Sequence, residues 1–405
     1  MFSLNHFGIF LIGIIFLNLF IIYRFKRTAI LEANLWKNRL WLAIAINSVC
    51  FYFLTNWFYS HYGFVVDDIN YYYGALQNVD MGLFGSETGT QFMIYLVKQV
   101  NKIVYCDLPS FHIIFFFLGL IGSLNLLYLL TLRLDFYNKA NYRISKAGFW
   151  SMVCFPNFLA WGRFFGKDSL IFFLAALFSV YAYRILSQGK LSLWNIIKMC
   201  VCSFFIYKIR PPIAGFIGIS FMTAYLWQMK SIGLRKDFLK FFIAFVVLVF
   251  SLVLFTSHIL QKATGGESVN IENIQATLIA QTHSSAYGGS ATDLAEILED
   301  DPALMFGPQQ IFINILNLLF APMPWQLRGG QYIPAIISNC LLFFLMFKYA
   351  KKVKLYDFFQ KYLWISVITG IALLSFITGN MGIIMRLKLI ILPPIFLLLF
   401  SRKVS

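Results

Sequence analysis

Apolar stretches of about 17 to 25 residues recur along the whole chain, from Phe7–Tyr23 at one end to 388–401 at the other. No other feature constrains the fold as much. Hydrocarbon offers no partner to an unpaired peptide group, so a stretch buried in it must be helical. Composition agrees: 60% of residues are hydrophobic and only 12% charged, against roughly 25% charged in a soluble domain. The expectation is an all-α polytopic membrane protein, one integral membrane domain over residues 1–405. About eleven transmembrane helices are expected, at roughly 5–23, 40–59, 110–132, 148–162, 169–187, 192–208, 212–229, 239–258, 332–348, 361–378 and 388–401. The first lacks a basic leader and a small-residue cleavage site, so it reads as a retained span.

Charge orients these spans. Connecting segments 24–39, 133–147, 184–190, 230–240 and 348–361, with the tail Arg402–Lys403, hold 22 of the 33 Lys and Arg residues. Basic loops stay in the cytoplasm, which puts the N-terminus outside and the C-terminus inside. The two long outer segments, 60–109 and 259–331, hold twelve of the seventeen acidic residues. In a bacterium they are periplasmic loops of a multi-pass inner-membrane protein. In the first, 91–106 reads as a surface amphipathic helix with Lys98, Asn101 and Lys102 on one face. In the second, 311–321 is too short to span and reads as re-entrant or interfacial. The net charge of +16 therefore reports topology rather than nucleic-acid binding. The six cysteines form no metal or disulfide pattern.

Ionisable groups at or below the outer surface are costly to bury, and so are site candidates. Asp67 and Asp68 open the first loop, followed by Tyr71 and Tyr72. A carboxylate there can take a proton from an acceptor hydroxyl or help hold a divalent metal, and an Asp is also an ordinary helix cap. Arg163, Lys167 and Asp168 sit in a tight outer turn, where Arg offers a two-pronged donor and Lys a point charge to phosphate. Asp168 also reads as a cap and Lys167 as a snorkelling side chain. Arg210 precedes Pro211 between two spans. Trp325 and Arg328 end the second loop, suited to a sugar face and an acidic group, while an interfacial anchor accounts equally for Trp325. Asn380, Arg386 and Lys388 stand at the outer start of the last span. The motifs demand no cofactor.

An apolar span, an outer loop opening with Asp67-Asp68 and Tyr71-Tyr72, and then a surface helix resembles the start of GT-C-type membrane glycosyltransferases. The layout is also similar to bacterial polysaccharide polymerases of the Wzy and EpsG type. Gly166-Lys167-Asp168, Arg210-Pro211, Pro324-Trp325 and Asn380…Arg386 carry the short-motif likeness. The resemblance implies sugar transfer on the outer face from a polyprenyl (undecaprenyl-type) phosphate or diphosphate carrier. It implies Asp67 or Asp68 as base, and Arg163, Lys167, Arg210, Arg328 and Arg386 on the phosphate side. Tyr72, Asp168, Trp325 and Asn380 are left to contact substrate. The chain departs from the GT-C pattern in one respect: its acidic loop follows the second span, not the first.

The first expectation is a polymerase of O-antigen (lipopolysaccharide) or capsule repeat units, for which a polysaccharide chain-length regulator is the natural partner beside membrane lipid. A GT-C transferase adding one sugar is the alternative. A lipid-linked sugar transporter or flippase is the third reading; it calls for charge near the bilayer midplane and repeat symmetry, and the sequence shows no repeat.

Overall fold

A computed structural model describes residues 4–26, 28, 30, 34–62, 67–77, 89–134, 141–189, 192–232, 308–322, 324, 333–350, 357–374 and 381–400. Every regular element among them is helical, as hydrocarbon burial requires. The chain divides into two compact units, residues 1–184, 191–210 and 400–405, and residues 185–190 and 211–399.

The first unit holds α1 (Leu4–Phe25), α2 (Asn34–Tyr62), α3 (Asp67–Leu76), α4 (Thr90–Ile103), α5 (Leu108–Arg133), α6 (Tyr142–Val153), α7 (Pro156–Trp161), α8 (Lys167–Leu186) and α9 (Leu193–Ile209). Among the described residues, four helices are long and apolar enough to cross a membrane: His6–Phe25 of α1, Asn34–Trp57 of α2, α5 and α8. α1 leaves Leu11, Ile12, Ile15, Phe16, Leu19 and Ile22 exposed. A continuous apolar face of that kind suits lipid and would be a liability in water.

One expected span is corrected. Residues 148–162 are not a continuous helix: α6 stops at Val153 and six-residue α7 starts at Pro156. Proline lacks the N–H that would continue the ladder and forces the preceding Phe155 to extended backbone, φ −65° and ψ 132°.

Side-chain pairings give the helix directions in this unit. His6 meets Asp107 and Arg24 meets Asn125, so α1 and α5 run parallel. Phe165 meets Phe111 and Tyr183 meets the Leu132 carbonyl, so α8 follows the same direction. α2 runs against α5: Phe51 lies on Phe116, while Trp36 lies beside Phe149 of α6, whose neighbour Gly148 packs against Leu130 near the far end of α5. α9 returns against α8, from Lys198 near Tyr181 to Arg210 on Asp168. One end of the unit therefore carries Asp107, Lys167, Asp168 and Arg210. At the other end cations lie over aromatic faces: Arg24 over Tyr128 (4.4 Å), Arg39 over Trp36 (4.7 Å) and Lys198 over Trp194 (4.9 Å). Such contacts let a guanidinium or ammonium stay near apolar surface at low cost.

The second unit holds α10 (Pro211–Ile232), α11 (Pro308–Phe320), α12 (Ile333–Tyr349), α13 (Phe358–Leu374) and α14 (Met381–Phe400). α10 and α13 run antiparallel, joined by Ser220 Oγ to Thr369 Oγ1 (2.8 Å) and by Lys361 over Trp227 (4.2 Å). Gly370 on α13 leaves room for Phe216 and Ile391. The expected span 239–258, the acidic part of the second loop and the segment 323–332, apart from Pro324, lie outside the described residues.

Candidate functional site

In the first unit three segments that are far apart in sequence meet at one point. Arg210, the residue after α9, pairs with Asp168 in the first turn of α8, Nη2 to Oδ1 at 2.8 Å. Lys167 Nζ donates to Thr90 Oγ1 at the start of α4 (2.8 Å) and lies 5.6 Å from the ring centre of Tyr71 on α3. The Gly89 N–H donates to the Lys208 carbonyl (2.8 Å). Gly89 has φ +74°, a left-handed backbone that side chains resist, which is why glycine serves there. The segment at Gly89–Thr90, the 163–168 turn and the Lys208–Arg210 step thus form one cluster, which brings together the Lys167 and Arg210 cations and the Asp168 carboxylate.

The turn is set from below by aromatic packing. Phe165 stacks on Phe111 (5.2 Å) and meets Phe115 (4.8 Å) and Tyr71 (6.0 Å) edge-on. Tyr72 is buried against Phe111. Arg163 is wholly buried, at 0% exposure. Its Nε donates to Asn47 Oδ1 (3.0 Å) and its Nη2 to Ser123 Oγ (2.8 Å), while Asn47 Nδ2 donates on to the Ala43 and Val153 carbonyls. Arg163, expected on the phosphate side, therefore fastens the turn to α2 and α5. Its Nη1 also donates to the Gly162 carbonyl (3.4 Å), so all three guanidinium nitrogens are bonded within the protein.

Asp107 caps α5 at the same end of the unit. Burial pushes its carboxyl up, but bonds from the Ser110 hydroxyl, His6 and the Ser110 N–H outweigh this and hold it below the ordinary value. The His6 Nε2–Asp107 Oδ2 contact of 2.7 Å ties the start of α1 to the start of α5.

In the second unit the structure moves two expected site residues. α14 begins at Met381, so Arg386 and Lys388 lie inside a helix rather than at its start. Lys388 sits seven residues along, about 10 Å at 1.5 Å per residue. It is buried and donates to the Ala321 carbonyl and to Asn339 Oδ1 (2.7 Å).

Of the remaining expectations, α3 starts at Asp67, but the side chains of Asp67 and Asp68 lie outside the described residues, as do Trp325, Arg328 and Asn380. Sequence reasoning passed over Thr90, Asn47, Ser123 and Asn339. A polar residue inside an apolar run was the available signal for Asn47, Ser123 and Asn339; Thr90 offered none.

The class that fold and cluster define is an α-helical chain with helices long and apolar enough to span a membrane, carrying a mixed cation–carboxylate cluster at one end of its first unit. No family model, curated protein or solved structure matches the chain.

Proposed function

We propose that the chain is an inner-membrane glycosyltransferase that joins polyprenyl-diphosphate-linked oligosaccharide repeat units, of O-antigen or capsule, on the periplasmic face. In this reading it crosses the membrane about eleven times, N-terminus outside, and the Lys167–Asp168–Arg210 cluster faces the periplasm. The observation that carries the proposal is that Lys167, which lies over Tyr71 of the helix α3 that starts with Asp67-Asp68, adjoins Asp168, the partner of Arg210. Phosphate-leaving chemistry needs cations near the leaving oxygen and a base near the acceptor. Lys167 supplies a mobile point charge and Arg210 a planar donor pair. Asp168 orients Arg210, and Asp67 or Asp68 takes the acceptor proton. Adding a single sugar from a polyprenyl-phosphate donor uses the same groups.

A second reading, a lipid-linked sugar transporter, is favoured by one observation: Lys388 is buried about 10 Å along α14, at the broken end of α11. The cell-surface glycan profile of a strain lacking the chain separates these readings. A polymerase predicts loss of the long-chain ladder with a single capped repeat remaining, restored by wild type and not by Arg210→Lys. An intact ladder missing one branch sugar assigns the single transfer. An unchanged ladder overturns both transferase readings.

A further inference from the structure

α11 has thirteen residues, about 20 Å of helix, and its C-terminal end lies level with the interiors of α12 and α14. Asn339 is six residues into α12 and Lys388 seven residues into α14. Both lie about 10 Å from the start of their helices. A helix that stops at such a depth leaves its last carbonyls without intrahelical partners. In hydrocarbon they cannot turn to water.

The side chains present meet this need closely. Asn339 Nδ2 donates to the Phe320 carbonyl (2.7 Å) and the Pro322 carbonyl (2.9 Å). Lys388 Nζ donates to the Ala321 carbonyl between them, and to Asn339 Oδ1 (2.7 Å). Three successive carbonyls, of residues 320, 321 and 322, are satisfied by one amide and one amine. Asn339 is 4% exposed and Lys388 2%. Both of these acceptors of the amine are neutral oxygens: among the described residues the amine meets the negative end of a helix dipole together with an amide oxygen. Half-helix C-terminal ends hold cations in many secondary transporters.

We propose that the broken end of α11 is a cation-holding site, that Lys388 is its built-in occupant, and that a primary alkylammonium is the ligand class the site takes when that side chain is shortened. This is independent of the transferase reading. Packing alone makes the opposite claim: that Lys388 matters for its methylene chain, which a Met of similar length would replace.

The test uses the full-length protein in detergent. Lys388→Ala removes the equivalent of n-propylammonium. Its thermal midpoint falls by about 5 °C or more and recovers on adding n-propylammonium chloride, but not 1-propanol or choline chloride. Lys388→Met stays low in all three. A Lys388→Met midpoint equal to wild type, or recovery of Lys388→Ala by 1-propanol as well as by the ammonium, or no recovery at all, overturns the proposal. Should Lys388→Ala fail to accumulate, membrane levels decide: Lys388→Arg near wild type with Lys388→Met strongly reduced supports the site, and equal levels of the two contradict it.

Discussion

Gly119→Ala puts the coupling between α5 and the 162–168 turn to the test. An ideal Cβ built on Gly119 falls 1.7 Å from the Gly162 carbonyl oxygen, 2.9 Å from its carbon and 3.2 Å from Arg163 Nη1. A carbon and an oxygen approach comfortably to about 3.3 Å, so the turn must withdraw by roughly 1.6 Å. The colliding atom is backbone, which no rotamer change relieves. Overpacking costs about 1–3 kcal/mol. Arg163 lies in the displaced turn, and loosening its bonds to Asn47 and Ser123 adds about 1.5–3 kcal/mol for a charged donor. Against this, Ala in place of Gly gains about 1 kcal/mol of helix propensity. The balance is a loss of about 1.5–5 kcal/mol, which lowers the thermal midpoint of a chain this long by about 2–6 °C. Gly166→Ala is the control, because a Cβ there meets nothing within 4 Å. The assay is thermal unfolding of the purified protein in detergent, followed by intrinsic fluorescence. A Gly119→Ala midpoint at or above wild type, with propensity winning, would refute the close approach of α5 to the turn.

Arg210→Lys keeps the charge but loses the planar guanidinium whose Nη2 meets Asp168 Oδ1, so the glycan ladder should be reduced at least tenfold by densitometry, a change of about 1.4 kcal/mol; an unchanged ladder would leave Arg210 a structural tie. Asp107 is held below its ordinary value by the hydroxyl and N–H of Ser110 and by His6. A group lowered on folding stabilises above its unfolded pKa, and that contribution disappears as pH falls through the folded value. The wild-type midpoint should therefore drop as pH falls below about 4, and Asp107→Asn should show a shallower drop in the same titration. Tyr105 is 87% exposed between α4 and α5, so Tyr105→Cys should react with a membrane-impermeant thiol reagent on intact cells beyond the level of the parent; labelling only after lysis would reverse the orientation.

The apolar runs were legible because a helix buried in hydrocarbon must be apolar along its length. The run 110–132 is α5 (Leu108–Arg133), 169–187 is α8 (Lys167–Leu186), and 91–106 overlaps α4 (Thr90–Ile103). Pro156 was visible too, yet its break was masked by apolar residues on both sides: hydropathy sums over a window and a missing N–H does not enter that sum. The charged points were legible singly, but their grouping was not. That Arg210 would reach Asp168, and Lys167 reach Thr90 seventy-seven residues earlier in the chain, depends on helix directions that no local pattern encodes. The burial of Arg163 was not legible for a similar reason. Position in a turn suggests exposure, whereas the aromatic cluster around Phe165 draws this turn inward and the guanidinium finds Asn47 and Ser123 in the apolar interior. Lys388 was placed at a helix start because the apolar run begins beside it; the helix begins seven residues earlier, through Arg386.

The most direct measurement compares the lipid-linked saccharides of cells with and without the chain, then returns the purified protein to that pool. A transferase acting on a polyprenyl-linked donor predicts that a lipid-linked saccharide accumulates in the strain lacking the chain. The full-length protein in liposomes should convert it to longer product with release of the carrier phosphate, and the Arg210→Lys protein should convert it poorly. An unchanged lipid-linked pool, or one that wild-type protein leaves untouched, would contradict the account.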